Sequence, residues 1–356
     1  QNVMKVASRY RPFSHQPGCK MCILGTTYIL SVYPTAIRVE REHSETIHID
    51  WQLTGLIKDF TVTWDLERNR TIVHGIAKEG YFSYQVLAEG AHLLLYVDRA
   101  KMGQLRGTIR STGLEICLQP KENSILSLLD EMMAKPKLER LSFGSHKAQN
   151  WEKIQTRLDP LEYFPFWFTA GQYATHKELA EKRGALECMQ RCQELLHHPS
   201  KELLVEKLSE LFQVGFEGML VPKLYDNHYL GVLQAGQQGA VPHELVRQGY
   251  LLIRSMLLQE KQDHIAILPH LASCFHAGRC LDLALAHGKC SMEWSKKLLK
   301  KVILLSEKPQ TLHFSFQKPL KSFRLRSLQG GPLKRASCDA PLTLGHGVYV
   351  LDRFEK

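Results

Sequence analysis

The spacing of apolar residues changes abruptly between Tyr250 and Val302, and that change constrains the fold more than any other stretch. Tyr250, Ile253, Met256 and Leu257, with Leu252 beside them, recur at helical spacing. The charged turn from Glu260 to Asp263 ends that helix, and the apolar run from His264 to Leu268 is closed by Pro269. Gly278 and Gly288 then bracket a strand-length segment, while Trp294 and the Val302–Leu305 run fall in two more. A helical region therefore ends near Gln259, and a β-module begins after it.

The remaining chain is divided by the same signals. From Ile23 to Gln119 the pattern is β throughout. Candidate strands at Tyr28–Tyr33, Ala36–Glu40, Thr46–Ile49, Phe60–Leu66, Thr71–Ile76, Tyr81–Leu87, His92–Val97, Gln104–Ile109 and Leu114–Leu118 are short and evenly spaced. Turn pairs such as Arg68-Asn69, Glu79-Gly80, Glu89-Gly90 and Thr112-Gly113 separate them. Such spacing, without helices between the strands, predicts an antiparallel sandwich over 1–120.

Between Lys121 and Lys135, the residues Ile125, Leu126, Leu128, Leu129, Met132 and Met133 fit a helical period. Residues 121–149 are therefore read as a linker helix followed by a polar loop, in which His146 and Lys147 could meet an anion. Residues 150–262 read as helical, with Thr175 and Ser200 at helix starts and 216–225 among the expected helices. Residues 263–356 form a closing β-module. The expected fold class is α+β and multi-module: an N-terminal antiparallel β-sandwich, a central α/α-type helical domain and a C-terminal β-module.

The phrase Met256-Leu257-Leu258-Gln259, then Leu268-Pro269 and Leu271, then Gly278, Leu283 and Gly288 in order, resembles a junction in glycoside hydrolase family 95 and its relatives, family 65 among them. Trp294 joins the match after a one-residue gap. Ala272 stands where a second proline is usual, Phe275 where a tryptophan is, and Ala286-His287 where Arg-Gly is. The order of sandwich, linker, helices and β-module is similar as well. Those enzymes carry a twelve-helix barrel, and residues 150–262 supply about half of that at ordinary helix lengths. The resemblance thus implies a strongly shortened, carbohydrate-active relative.

An inverting glycosidase needs two carboxyl groups flanking the scissile bond, far enough apart to admit water. Counting back from Met256, the family's catalytic aspartate falls on Glu244, but Val246, Arg247 and Gln248 replace the family's Asn-Phe-Gly. A glutamate at a helix start also complements the helix dipole. The second carboxyl is either Glu217, set between two glycines, or Asp226, beside Asn227 and His228 in the glycine-bearing stretch 225–239. Asn227 and His228 are candidates for binding substrate. Tyr163 and Trp167 are candidates for stacking on a sugar, although core packing explains such aromatic density equally well. Two readings follow: a glycoside hydrolase, or a non-catalytic sugar-binding or assembly relative.

Composition narrows the partners. The formal charge of +10 is spread over several segments, including Lys135–Lys147 and Lys318–Arg326. With no zinc-finger spacing or RNA-binding phrase, this argues against a nucleic-acid partner and leaves an anionic ligand open. No stretch approaches the ~18 apolar residues of a membrane span, so no membrane partner is expected. No phosphate loop or HExxH phrase is present, so no cofactor is expected. The nine cysteines include one isolated C-x-x-C, Cys19 and Cys22, with no second pair at zinc spacing, so no metal site is expected either. They read as reduced, mostly buried thiols of a cytoplasmic protein. The carbohydrate ligand is the expected partner, and self-association stays open.

Overall fold

In the computed structural model the chain is described for residues 4–5, 9–41, 43–131, 134–145, 147–174, 184–223 and 243–356. The described residues are mostly β-sheet, arranged in several largely antiparallel sheets, with five helices.

Two six-stranded sheets are built from the first part of the chain. One runs, in spatial order, Phe13–Ser14, Lys58–Asp65, Arg70–Ala77, Gly80–Glu89, His92–Ala100 and Asn123–Leu128. The other runs Leu114–Leu118, Leu105–Ile109, Ile47–Trp51, Ala36–Glu40, Ile29–Tyr33 and Cys19–Cys22. Alternation sorts their side chains: Val62, Trp64, Val73 and Val86 are buried, as are Leu30, Val32, Ile37 and Ile49 of the other sheet. The sheets meet where Trp51 Nε1 donates to Tyr84 Oη at 3.3 Å, with ring centroids 5.2 Å apart. Gly107 allows this, because a Cβ there would lie 2.8 Å from the Trp51 ring.

The expected linker helix is corrected by this arrangement. Asn123–Leu128 is a strand, paired antiparallel with His92–Ala100. Its register shifts between Ile125 and Ser127, so a bulge interrupts the period of two. What remains, Ile125-Leu126 followed by Leu128-Leu129, mimics helical spacing. The first β region therefore runs past residue 120, and Leu129 N still donates to Ala91 O at 2.8 Å. Met132 and Met133 lie outside the described residues. Part of the expected loop is also strand, since Arg140–Ser142 pairs with Gly278–Leu285.

The helices are α1 (Trp151–Arg157), α2 (Pro160–Gly171), α3 (Ala185–Leu195), α4 (Lys201–Gly215) and α5 (Glu244–Leu257). Asn150 caps α1 by accepting from Lys153 N at 3.0 Å, and Asp159 caps α2 by accepting from Leu161 N at 3.0 Å, with Pro160 in the first turn. Every residue from Glu162 to Gly171 is buried, so α2 runs through the interior of the helical layer. It packs on α5 through glycines: a Cβ on Gly249 would lie 2.0 Å from the Trp167 ring, and one on Gly171 would lie 2.3 Å from Tyr250 Cβ. Of the helix expected over 216–225, residues 216–222 form a short hairpin instead, Phe216–Glu217 paired with Val221–Pro222, and 224–225 lie outside the described residues. Gly218, at φ +55°, makes its turn against Lys20, whose carbonyl oxygen would lie 2.5 Å from an added Cβ.

Helix α5 runs directly into the strand Leu258–Lys261, which hairpins to His264–Ile267. Leu268 N then returns to Leu257 O at 2.8 Å, and His270 N to Met256 O at 3.2 Å. The later chain forms a seven-stranded sheet and a four-stranded sheet, the latter containing one parallel pair, His264–Ile267 with Gln310–Ser315. Trp294 Nε1 donates to Phe275 O at 3.1 Å, and a Cβ on Gly278 would lie 2.3 Å from the Trp294 ring. Met256, Leu257, Leu268, Gly278 and Trp294, which carry the sequence resemblance, are thus buried packing residues. No helix among the described residues is long and apolar enough to cross a membrane.

Candidate functional site

Glu244 opens α5, half-buried. Its Oε1 accepts from Gln248 Nε2 one turn along, and Gln248 Oε1 accepts from Gln193 Nε2 of α3 at 2.7 Å. The carboxylate therefore belongs to a polar chain that joins α5 to α3. Arg247 reaches in another direction and donates to Ala174 O at 3.5 Å. Glu217 sits in the hairpin after α4, where its carboxylate meets Lys20 Nζ at 3.3 Å, both side chains remaining partly exposed. That contact fastens the hairpin to the first β region, beside the bridge between Met21 and Met219. Asp226, Asn227 and His228 lie outside the described residues.

The two nominated stacking residues belong to the core. Tyr163 is fully buried, stacks on Phe212 at 3.8 Å between centroids, and donates its hydroxyl to Ser209 Oγ at 2.5 Å. Trp167 is equally buried: its indole N–H donates to Val246 O at 3.1 Å, and its ring lies over Gly249 and edge-on to Phe216. A sugar could reach neither ring without displacing the helix packed on it, α4 for Tyr163 and α5 for Trp167. Placing indoles and phenols where their single polar atom finds a backbone or hydroxyl partner is how such rings are buried at low cost.

The loop cation Lys147 is drawn to carboxylates, lying 3.6 Å from Glu162 and 3.9 Å from Asp159. Arg157 meets the other oxygen of Glu162 at 2.9 Å. This neutralises the loop that looked ready for an anion; His146 lies outside the described residues. Cys19 and Cys22 are three apart on one strand, so their side chains leave opposite faces. Burial pushes their thiols up to about 11 and about 12. All nine cysteines are free, and six are buried.

Sequence reasoning missed a densely bonded carboxylate. Glu139, buried in the stretch before Arg140–Ser142, accepts from the Tyr250 hydroxyl, from Arg254 Nε at 2.9 Å and Nη2 at 2.9 Å, and from Ala284 N at 2.6 Å. Its oxygens hold α5 against the seven-stranded sheet. Burial, with the Glu139 charge beside it, raises the Tyr250 hydroxyl well above the ordinary tyrosine range. In sequence, Glu139 sits among lysines and looks like solvated surface; nothing local marks it.

The chain matches no protein-family model, and no curated protein is significantly similar to it.

Proposed function

We propose that this chain is a carbohydrate-binding or assembly protein, a non-catalytic and shortened relative of the family 95 and family 65 glycosidases. On this reading an N-terminal β-sandwich, a reduced helical domain and a C-terminal β-module are kept, while the helical domain has become a solid layer. The observation that carries it is the burial of α2, whose aromatic side chains occupy the middle of the helical layer, where a glycosidase needs an open cleft. The engagement of Glu244 with Gln248, and of Glu217 with Lys20, supports the same reading: each carboxylate ties elements together. The module order and the buried Met256–Leu271 junction support the kinship.

A glycan-array screen of the intact chain tests it. Selective retention of a defined set of glycans is expected. No binding to any glycan would remove the carbohydrate part of the reading and leave the assembly role.

A further inference from the structure

We propose that the concavity between the Asp65–Arg70 turn, the Glu89-Gly90 turn and the end of α2 binds a phosphate- or sulfate-type oxyanion. The hollow is about 250 Å³, and Arg68, Arg70 and Lys135 line it against one carboxylate, Glu89. It lies where the first β region meets the helical layer, a preferred place for ligand sites. Tyr173 forms a wall and donates its hydroxyl to Glu67 O at 3.1 Å.

The excess of positive charge arises within a single turn. Its two acids are already engaged: Asp65 with Arg11 at 3.3 Å, and Glu67 with Arg140 at 2.5 Å. Among the described residues, no carboxylate is ion-paired with Arg68, Arg70 or Lys135. The turn is also rigid. Arg68 N donates to Asp65 Oδ1 at 3.1 Å, and Asn69, left-handed at φ 51°, donates its side-chain amide to Leu24 O at 2.8 Å. Arg70 is aimed by a relay: its Nη1 donates to Gln85 Oε1 at 2.9 Å, and Gln85 Nε2 donates to Asp98 Oδ2 at 2.7 Å. Its Nε is shut off from solvent with no hydrogen-bond partner among the described residues. A guanidinium held in one orientation, with a second arginine and a lysine lining the same hollow, supplies the charge-assisted donors that a tetrahedral oxyanion takes. Glu89 adds an acceptor for a hydroxyl, which suits an oxyanion carried on a sugar. That sugar-borne form rests on the carbohydrate reading; the oxyanion site does not.

Calorimetric titration of the intact chain at low ionic strength with inorganic phosphate, sulfate, glucose 6-phosphate and glucose tests both parts. Phosphate or sulfate should bind, and added salt should weaken the binding. Arg70→Gln should weaken it about tenfold, as expected for one lost charge-assisted contact. Arg68→Glu/Lys135→Glu, which alters only exposed side chains, should abolish it. Failure of phosphate and sulfate to bind, or equal binding by wild type and the double variant, would overturn the site. Tighter binding of glucose 6-phosphate than of phosphate supports the sugar-borne form. Equal binding of the two leaves the oxyanion site standing and counts against that form alone.

Discussion

Glu139 and Arg254, 115 residues apart in the chain, meet in a two-pronged ion pair with Nε and Nη2 each 2.9 Å from a carboxylate oxygen. Both side chains are largely buried, and the same carboxylate accepts from the backbone of Ala284. One acid thereby joins the segment leaving the first β region, the last helix and the seven-stranded sheet. Removing one member of a buried pair strands the other charge, so Glu139→Ala should destabilise the chain by about 3–5 kcal/mol. Urea unfolding measures this; a change of under about 0.5 kcal/mol, the size of a surface effect, would show that water already reaches the pair.

The α2–α5 contact makes a second prediction. Gly249→Ala would place a methyl 2.0 Å from the Trp167 ring, which also packs edge-on to Phe216. The helices must separate or the indole must leave, costing about 1–3 kcal/mol or more. Loss of Trp near-ultraviolet dichroism together with a lowered urea midpoint is expected, and an unperturbed spectrum would contradict the packing.

At the junction, Leu257 is buried and its carbonyl receives Leu268 N, so side chain and backbone both hold the helix to the β-module. Leu257→Ala should cost about 2–5 kcal/mol, and limited proteolysis near Gln262 should release no stable C-terminal fragment. A fragment that survives alone would show the two parts to be independent.

Thiol chemistry follows exposure. Cys117 and Cys274 are the exposed cysteines, and burial of its sulfur pushes Cys274 up to about 11, leaving little thiolate near neutrality. Cys117 should therefore react first with a disulfide reagent, and Cys117→Ser should remove the fastest phase. Persistence of that phase in the variant would refute the assignment.

High pH should unfold the chain. Burial raises Cys19 to about 11, Cys22 to about 12 and Tyr10 to about 12, so these groups release protons more readily once unfolded. Their contribution is complete below the unfolded thiol value of about 8.5 and is lost as pH climbs through the folded values. The urea midpoint should fall as pH rises from about 8.5 toward about 12, and a constant midpoint would mean that these groups are solvated in the folded chain.

How much of this was legible in the sequence depended on whether a signal was local. The passage from α5 to the β-module could be read because the apolar period itself changes at Gln259, and the nine expected strands of the first region all fall on observed strands. Asn123–Leu128 was misread because its bulge shifts the pattern off a period of two. The 216–222 hairpin was missed because its turn answers to a distant carbonyl, that of Lys20. Tyr163 and Trp167 looked like sugar platforms since sequence cannot say which way a ring faces. Glu139 and the Arg68–Arg70 turn depend on partners far along the chain, and no window of sequence contains both halves of either.

Sugar release tests the central claim most directly. Wild type and Glu244→Gln are each incubated with a panel of fucosides, galactosides and glucosides, and free sugar is measured. A solid helical layer predicts no release by either, since Gln keeps the shape at Glu244 while removing only its basic oxygen. Release by the wild type that disappears in Glu244→Gln would contradict the account and make Glu244 the base of an active glycosidase.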